Sequence, residues 1–224
     1  SSITAWINLA RAKINQSQTD KLNSIVSQRI ISPGIGAPGF THKDVARVQS
    51  INDATSSSIN LDYFSITVNT LPQGFSSLQA LLHHKRTNMH QFIPTSIADF
   101  KSYTWHGVND TYLWSQNNPL NAVVAIDLGI EYGSVIVSES SANKWQFTTI
   151  YDPHVKSHPV SGNREFEYTV NSNGSYTFYT RGADRLTGSL ETLAQLVAEM
   201  TPDFISSELQ PFEIGDNVWR SFQD

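Results

Sequence analysis

Residues 122–181 read AVVAIDL (122–128), SVIVS (134–138), KWQFTTIY (144–151), EFEYTV (165–170) and YTFYTR (176–181). Each segment alternates polar with apolar residues or runs β-branched, and turn formers separate them, which is the pattern of β-strands. The connections at 129–133 and 139–143 are short, so consecutive strands are antiparallel neighbours. Between the last two strands stands Asn173-Gly174, the dipeptide favoured by two-residue hairpin turns. Such a turn pairs Val170 with Thr177, Tyr168 with Tyr179 and Phe166 with Arg181. It places Arg181 on one face with Phe166, Tyr168, Val170 and Tyr179.

Upstream of this meander, 59–68 reads as a further strand. Ser76 and Ser77 then cap a helix whose apolar stripe is Leu78, Leu81, Leu82, Met89, Phe92 and Ile93, and Pro94 ends it. Ile97 and Phe100 predict one more helical turn. Downstream, Leu190, Leu193, Leu196 and Val197 mark a helix face, and a shorter segment holds Val218, Trp219 and Phe222. At the other end, Ile3, Trp6, Ile7, Ala10 and Ile14 predict a helix, and Leu22, Ile25, Val26, Arg29 and Ile30 a second one capped by Thr19. Residues 33–39 are a Pro/Gly breaker, and Thr41-x-x-Asp44 predicts a short helix through Val45 and Val48. The expected architecture is α+β: an antiparallel meander of five to six strands packed against helices. Its expected organisation is a helical preface (1–32), a Pro/Gly-rich connector (33–40) and a single α+β domain (41–224).

The chain has 224 residues, enough to bury a core without covalent staples. It has no cysteine, which excludes disulfides, thiolate metal sites and a cysteine nucleophile, and which suits a cytoplasmic or a secreted protein. The net charge of −5 argues against attraction of the whole protein to nucleic acid or to an anionic membrane, and no apolar run is long enough to span a bilayer. Charge is uneven: residues 1–50 carry six basic against two acidic side chains, whereas 186–224 carry seven acids against Arg220. The start, Ser1-Ser2-Ile3-Thr4, reads as a processed or trimmed start and is compatible with a longer parent chain.

Neither a dinucleotide fingerprint, a P-loop, a zincin motif nor a nucleophile elbow occurs, so no motif fixes a reaction or implies a cofactor. Three clusters carry candidate chemistry. Asp152, His154 and His158 lie near a strand end, where histidine is the natural acid–base group near neutrality. Their spacing fits no established metal motif, so no metal is expected. His83, His84, Lys85, Arg86 and His90 read as the solvated side of the 77–93 helix. Arg164, Tyr168, Tyr179, Arg181 and Arg185 flank one hairpin, and with Trp105, Tyr112, Trp114 and Trp145 nearby they suggest an aromatic cup with guanidinium donors. The leading expectation is a binding module of bacterial type for a small anionic or polar ligand, or for a protein partner. The rival is a small secreted, effector-like hydrolase using Asp152, His154 and His158.

Overall fold

The computed structural model describes residues 2–93, 95, 98–128 and 131–188. The helix expected after Arg185, the segment with Val218, Trp219 and Phe222, and Ile97 lie outside them. The elements run α1 (Ile3–Arg11), α2 (Gln16–Asn23), β1 (Val26–Ile31), β2 (Phe40–Val45), β3 (Arg47–Val48), β4 (Asn60–Val68), α3 (Leu78–Thr87), α4 (Met89–Phe92), β5 (Asp99–Ser102), α5 (Thr111–Ser115), β6 (Val123–Asp127), β7 (Tyr132–Ser140), β8 (Lys144–Tyr151), β9 (Val160–Val170) and β10 (Tyr176–Leu186). Among the described residues this is an antiparallel sheet of eight strands packed with helices, an α+β fold. Its strand order is β4-β10-β9-β8-β7-β6-β5, and β3 pairs with the end of β8.

The five segments of the meander form as their periodicity predicts, and 60–68 adds β4 to the β10 edge. The helix expected over 77–93 also forms. Ser77 Oγ accepts the Ala80 N–H at 3.1 Å, and the helix breaks once, at Asn88.

Three expectations fail, each because long-range pairing overrides local period. The second helix does not run to Ile30. It starts earlier, where Asn15 and Gln18 form a reciprocal capping box, and it ends at Asn23. Residues 26–31 instead pair in full register with 40–45, so the breaker at 33–39 connects two strands of a hairpin. The helix expected from Thr41 is accordingly β2. Phe100, expected in a helical turn, lies in β5 opposite Ile126.

The sheet buries both faces. On one, α3, α4 and α5 place Leu81, Leu82, Met89 and Trp114 against Val124, Val135, Trp145, Phe147, Phe166 and Phe178. On the other, Leu22, Ile25 and Ala46 pack with Tyr103, Val123, Ala125, Ile136 and Ile150. The N-terminal helices are stitched to this second face by polar contacts: Asn163 Nδ2 donates to Leu9 O at 2.9 Å, and the buried Gln18 Nε2 to Ser138 O at 2.7 Å. Gln49 locks the far end of the sheet. Its Oε1 accepts the His158 N–H at 3.0 Å, while its amide nitrogen lies 2.7 Å from both His158 O and Thr187 Oγ1.

The β9–β10 loop decides which side chains share a face. Gly174 N–H donates to Asn171 O at 2.9 Å and Asn171 N–H to Ser175 O at 2.8 Å, with Gly174 at φ +82°. That is a three-residue loop, a type I turn closed by a left-handed glycine, in place of the expected two-residue turn. Asn173 Oδ1 accepts both Ser175 N–H (3.1 Å) and Ser175 Oγ–H (2.7 Å), which favours the wider loop. The register therefore differs from the expected one by a single residue: Tyr176 pairs with Val170, Phe178 with Tyr168, Thr180 with Phe166 and Arg181 with Glu165. Every side chain of β10 falls on the opposite face from the expected pairing.

Candidate functional site

The aromatic residues gather on the helix-covered face. Trp145 stacks on Phe166 (centroids 4.4 Å apart, planes 9°) and Trp114 on Phe147 (5.8 Å), and Phe147 meets Phe166 edge-on at 5.6 Å. Tyr168 and Phe178 continue the row at 5.7 Å. Beside it, on the same face, sits an ion pair. Arg164 Nη2 donates to Asp62 Oδ2 at 2.5 Å, and both side chains are less than one-tenth exposed. Asn60 Nδ2 also donates to Asp62 Oδ2 (3.0 Å), and Arg164 Nη1 reaches Thr180 Oγ1 (3.4 Å). The other carboxylate oxygen, Asp62 Oδ1, is buried and has no hydrogen-bond partner among the described residues.

The backbone makes room for this pair. Asp62, Gly182 and Arg164 stand side by side on three adjacent strands. A β-carbon on Gly182 would collide with the Arg164 guanidinium and come within 3.1 Å of Asp62 Oδ2. Glycine inside a strand thus marks a close approach, here of a charged pair lying flat over the sheet.

The expected constellation of arginines is divided between the faces. Arg164 and Tyr168 lie on the aromatic face. Tyr179 and Arg181 lie on the other, because of the one-residue register change. There Arg181 Nε pairs with Glu165 Oε1, its guanidinium lies 5.7 Å from the Trp6 and Tyr179 ring centres, and Tyr179 Oη donates to Glu167 at 2.6 Å. Burial, then the Glu167 hydrogen bond, push the Tyr179 phenol well above its ordinary range. Arg185 donates to Ser56 O and Ile51 O and ties β10 to the preceding loop. The cup lined by Arg164, Tyr168, Tyr179, Arg181 and Arg185 together is therefore not assembled.

Asp152, His154 and His158 do not converge either. Asp152 is fully buried, and its Oδ1 accepts from Tyr103 Oη (3.0 Å) and from the His154 (2.6 Å) and Val155 (3.1 Å) amides, closing the turn it begins. The His154 ring stacks on Trp105, centroids 3.9 Å apart. The His158 ring lies against Gly133, where a β-carbon would collide with it, and its Nδ1 accepts the Val160 N–H at 3.2 Å. No side chain of the three bonds a side chain of another. Among the described residues, no three His, Cys, Asp or Glu side chains are grouped to hold a metal ion.

The 83–86 cluster is also corrected. Lys85 and Arg86 are buried, not solvated. Arg86 donates to Trp114 O and Gln116 O, locking α3 to the end of α5, and burial lowers its pKa to about 10. It borders a small solvent-open cleft between α3 and the β7–β8 turn, which His83, Ser140 and Lys144 also line.

The residue that sequence reasoning missed is Asp62. It lies 102 positions from its partner, so no local pattern links them. The available signal was Gly182, a glycine interrupting a strand of large residues.

The chain is thus an α+β protein whose antiparallel sheet carries an aromatic face and a buried ion pair. A scan against protein-family models gives no match, and a search of the curated proteins gives none. Among solved structures it is similar to norcoclaurine synthase from Thalictrum flavum in complex with dopamine and hydroxybenzaldehyde (8% identity, 87% of this chain, 95% of that chain, TM-score 0.39). It is similar also to the ginseng major latex-like protein 151 from Panax ginseng (11%, 74%, 95%, 0.38). A third is the di-domain ARO/CYC StfQ from the steffimycin biosynthetic pathway (10%, 77%, 51%, 0.42). Values of this size assign the chain neither a ligand nor a reaction. No helix among the described residues is long and apolar enough to cross a membrane.

Two outcomes follow from this geometry. Asp62→Ala strands the Arg164 charge in the aromatic face and is expected to cost about 3–5 kcal/mol, whereas the double replacement Asp62→Leu, Arg164→Met is expected near neutral. Denaturant unfolding of the three proteins decides it; a loss below about 1 kcal/mol for Asp62→Ala would mean a solvated pair. The second concerns acid. Burial pushes the His158 imidazole down to about 4, against 6.5 for the free side chain. Between these values the unfolded chain binds the extra proton, so stability falls as pH drops from 6.5 towards 4 and levels off below. The loss is on the order of 3 kcal/mol. In His158→Gln the unfolding free energy should vary less over that window, and an unchanged slope would place the titration elsewhere.

Proposed function

We propose that the protein is a binding module for a small molecule with an aromatic or apolar body and a hydrogen-bond donor, a hydroxyl or an amine. The ligand's body lies along the aromatic row by Tyr168 and Phe178, and its donor engages Asp62 Oδ1. The observation that carries this reading is the Asp62–Arg164 pair itself. An ion pair buried among aromatic rings is costly compared with apolar side chains of the same volume, and this one keeps a buried carboxylate oxygen without a partner among the described residues. Apolar surroundings with one or two converging polar groups are the usual composition of a small-molecule site.

The ligand is polar and not anionic. The Arg164 charge is matched by Asp62, and the Arg181 charge by Glu165. Of the residues first singled out, Arg164 and Tyr168 belong to this site, with Asp62 added. Tyr179, Arg181 and Arg185 hold the opposite face and the sheet end together.

Binding of 2-naphthol and of naphthalene, measured by calorimetry, tests the reading. The parent is expected to prefer 2-naphthol by about tenfold or more, the range of a hydrogen bond to a charged group. The Asp62→Leu, Arg164→Met variant is expected to lose that preference while still binding naphthalene. Equal affinity of the parent for both compounds, or an unchanged preference in the variant, would overturn it.

A further inference from the structure

The β1–β2 hairpin is unlike the rest of the molecule. From Ile30 to Thr41 the chain reads IISPGIGAPGFT, twelve residues without a charge. Apolar side chains project from it into solvent: Ile35 is fully exposed, Ile30 is 77% and Phe40 54% exposed. Gly34 and Gly36, both at positive φ with open space where a β-carbon would stand, let the chain turn there.

Behind the uncharged tip stands a belt of basic groups. Arg29 and His42 face each other across the hairpin, and Lys43 follows opposite Gln28. Further back come Arg47 and Lys156. Lys156 pairs with Asp44 and feels the repulsion of Arg29. Asp44 is the acid of this belt among the described residues, and it also accepts from Tyr151 Oη. In a chain of net charge −5, the base of this arm is locally positive.

We infer that the hairpin is an arm that docks end-on to an anionic lipid surface. The apolar and basic residues are separated along the hairpin axis and not across its faces. Ile31 and Phe40 share a face with Arg29 and His42 but lie nearer the tip. A protein partner adding a strand or covering one face would call for the other segregation. A bilayer interface is layered in the same direction as the arm: acyl boundary, then anionic headgroups. Two residue pairs at about 3.3 Å per residue, plus the loop, put the tip roughly 10 Å beyond the basic belt, the depth at which interfacial segments lie. The lipid site is independent of the ligand site, which lies on the sheet.

The absence of cysteine allows a direct test. Ile35→Cys, labelled with an environment-sensitive nitrobenzoxadiazole dye, is mixed with vesicles of phosphatidylcholine alone or with about 30% phosphatidylserine. Ile35 contacts nothing that the fold needs, and circular dichroism checks that the variant is folded. The expected result is a blue shift with the anionic vesicles only. Apparent affinity should fall about tenfold or more in Arg29→Gln, Lys43→Gln, and the signal should be reversed by high salt. The same dye on Ser141→Cys, in the β7–β8 turn, should report water throughout. No shift with anionic vesicles, or an equal shift with both compositions, would overturn the proposal. So would a concentration-dependent shift in buffer, which would assign the tip to a second copy of the chain.

Discussion

A single extra residue in the Asn171–Ser175 loop governs the two longest strands of the sheet. With the wider loop, Gly174 takes the left-handed conformation after a type I turn, and β10 slides by one residue against β9. Because strand side chains alternate with a period of two, that step moves the whole of β10 across the sheet. It brings Phe178 and Thr180 to the aromatic face and leaves Gly182 beneath Arg164. It also places Arg181 opposite Glu165, on the face that receives α1. The pairing of β4 with β10 then carries Asp62 next to Gly182. The ion pair, the aromatic row and the seat of the N-terminal helix all depend on this one register.

The two faces divide the polar chemistry between them. Beneath α1, charges answer each other directly: Arg181 meets Glu165, Tyr179 meets Glu167, and Asn163 caps the carbonyls at the end of the helix. These contacts make the face an interface internal to the chain. On the other face the Asp62–Arg164 pair lies among rings, and among the described residues one of its carboxylate oxygens has no partner. In an apolar setting an unanswered oxygen is costly, and the donor of the proposed ligand would answer it.

Legibility in the sequence followed physical scale. Strands 122–181 were readable because each buries one or both faces, and burial imposes a period on the residues themselves. The helix at 78–87 was readable from its stripe and its serine cap. Residues 22–31 were not, since Leu22, Ile25, Val26 and Ile30 fit a helix as well as a strand. The choice was made by pairing with 40–45 across the breaker. Asn173-Gly174 announced a hairpin correctly but not its width. Asn171 donates to the Ser175 hydroxyl and Asn173 accepts from it, which settles the width, and such bonds lie below what dipeptide preference resolves. Of the proposed site, Arg164 and Tyr168 stood out in the sequence as a charge and a ring near a turn. Asp62 did not, because contact between residues so far apart is a product of topology and leaves only Gly182 as its trace.

The register of β9 against β10 is therefore the quantity to measure. Backbone nuclear Overhauser effects across the two strands, recorded on isotope-labelled protein, report it without reference to any ligand. The account predicts close cross-strand contacts joining Glu165 to Arg181 and Tyr168 to Phe178. Contacts joining Phe166 to Arg181 and Tyr168 to Tyr179 instead would return Arg181 to the aromatic face, remove Gly182 from beneath Arg164, and contradict the account at its root.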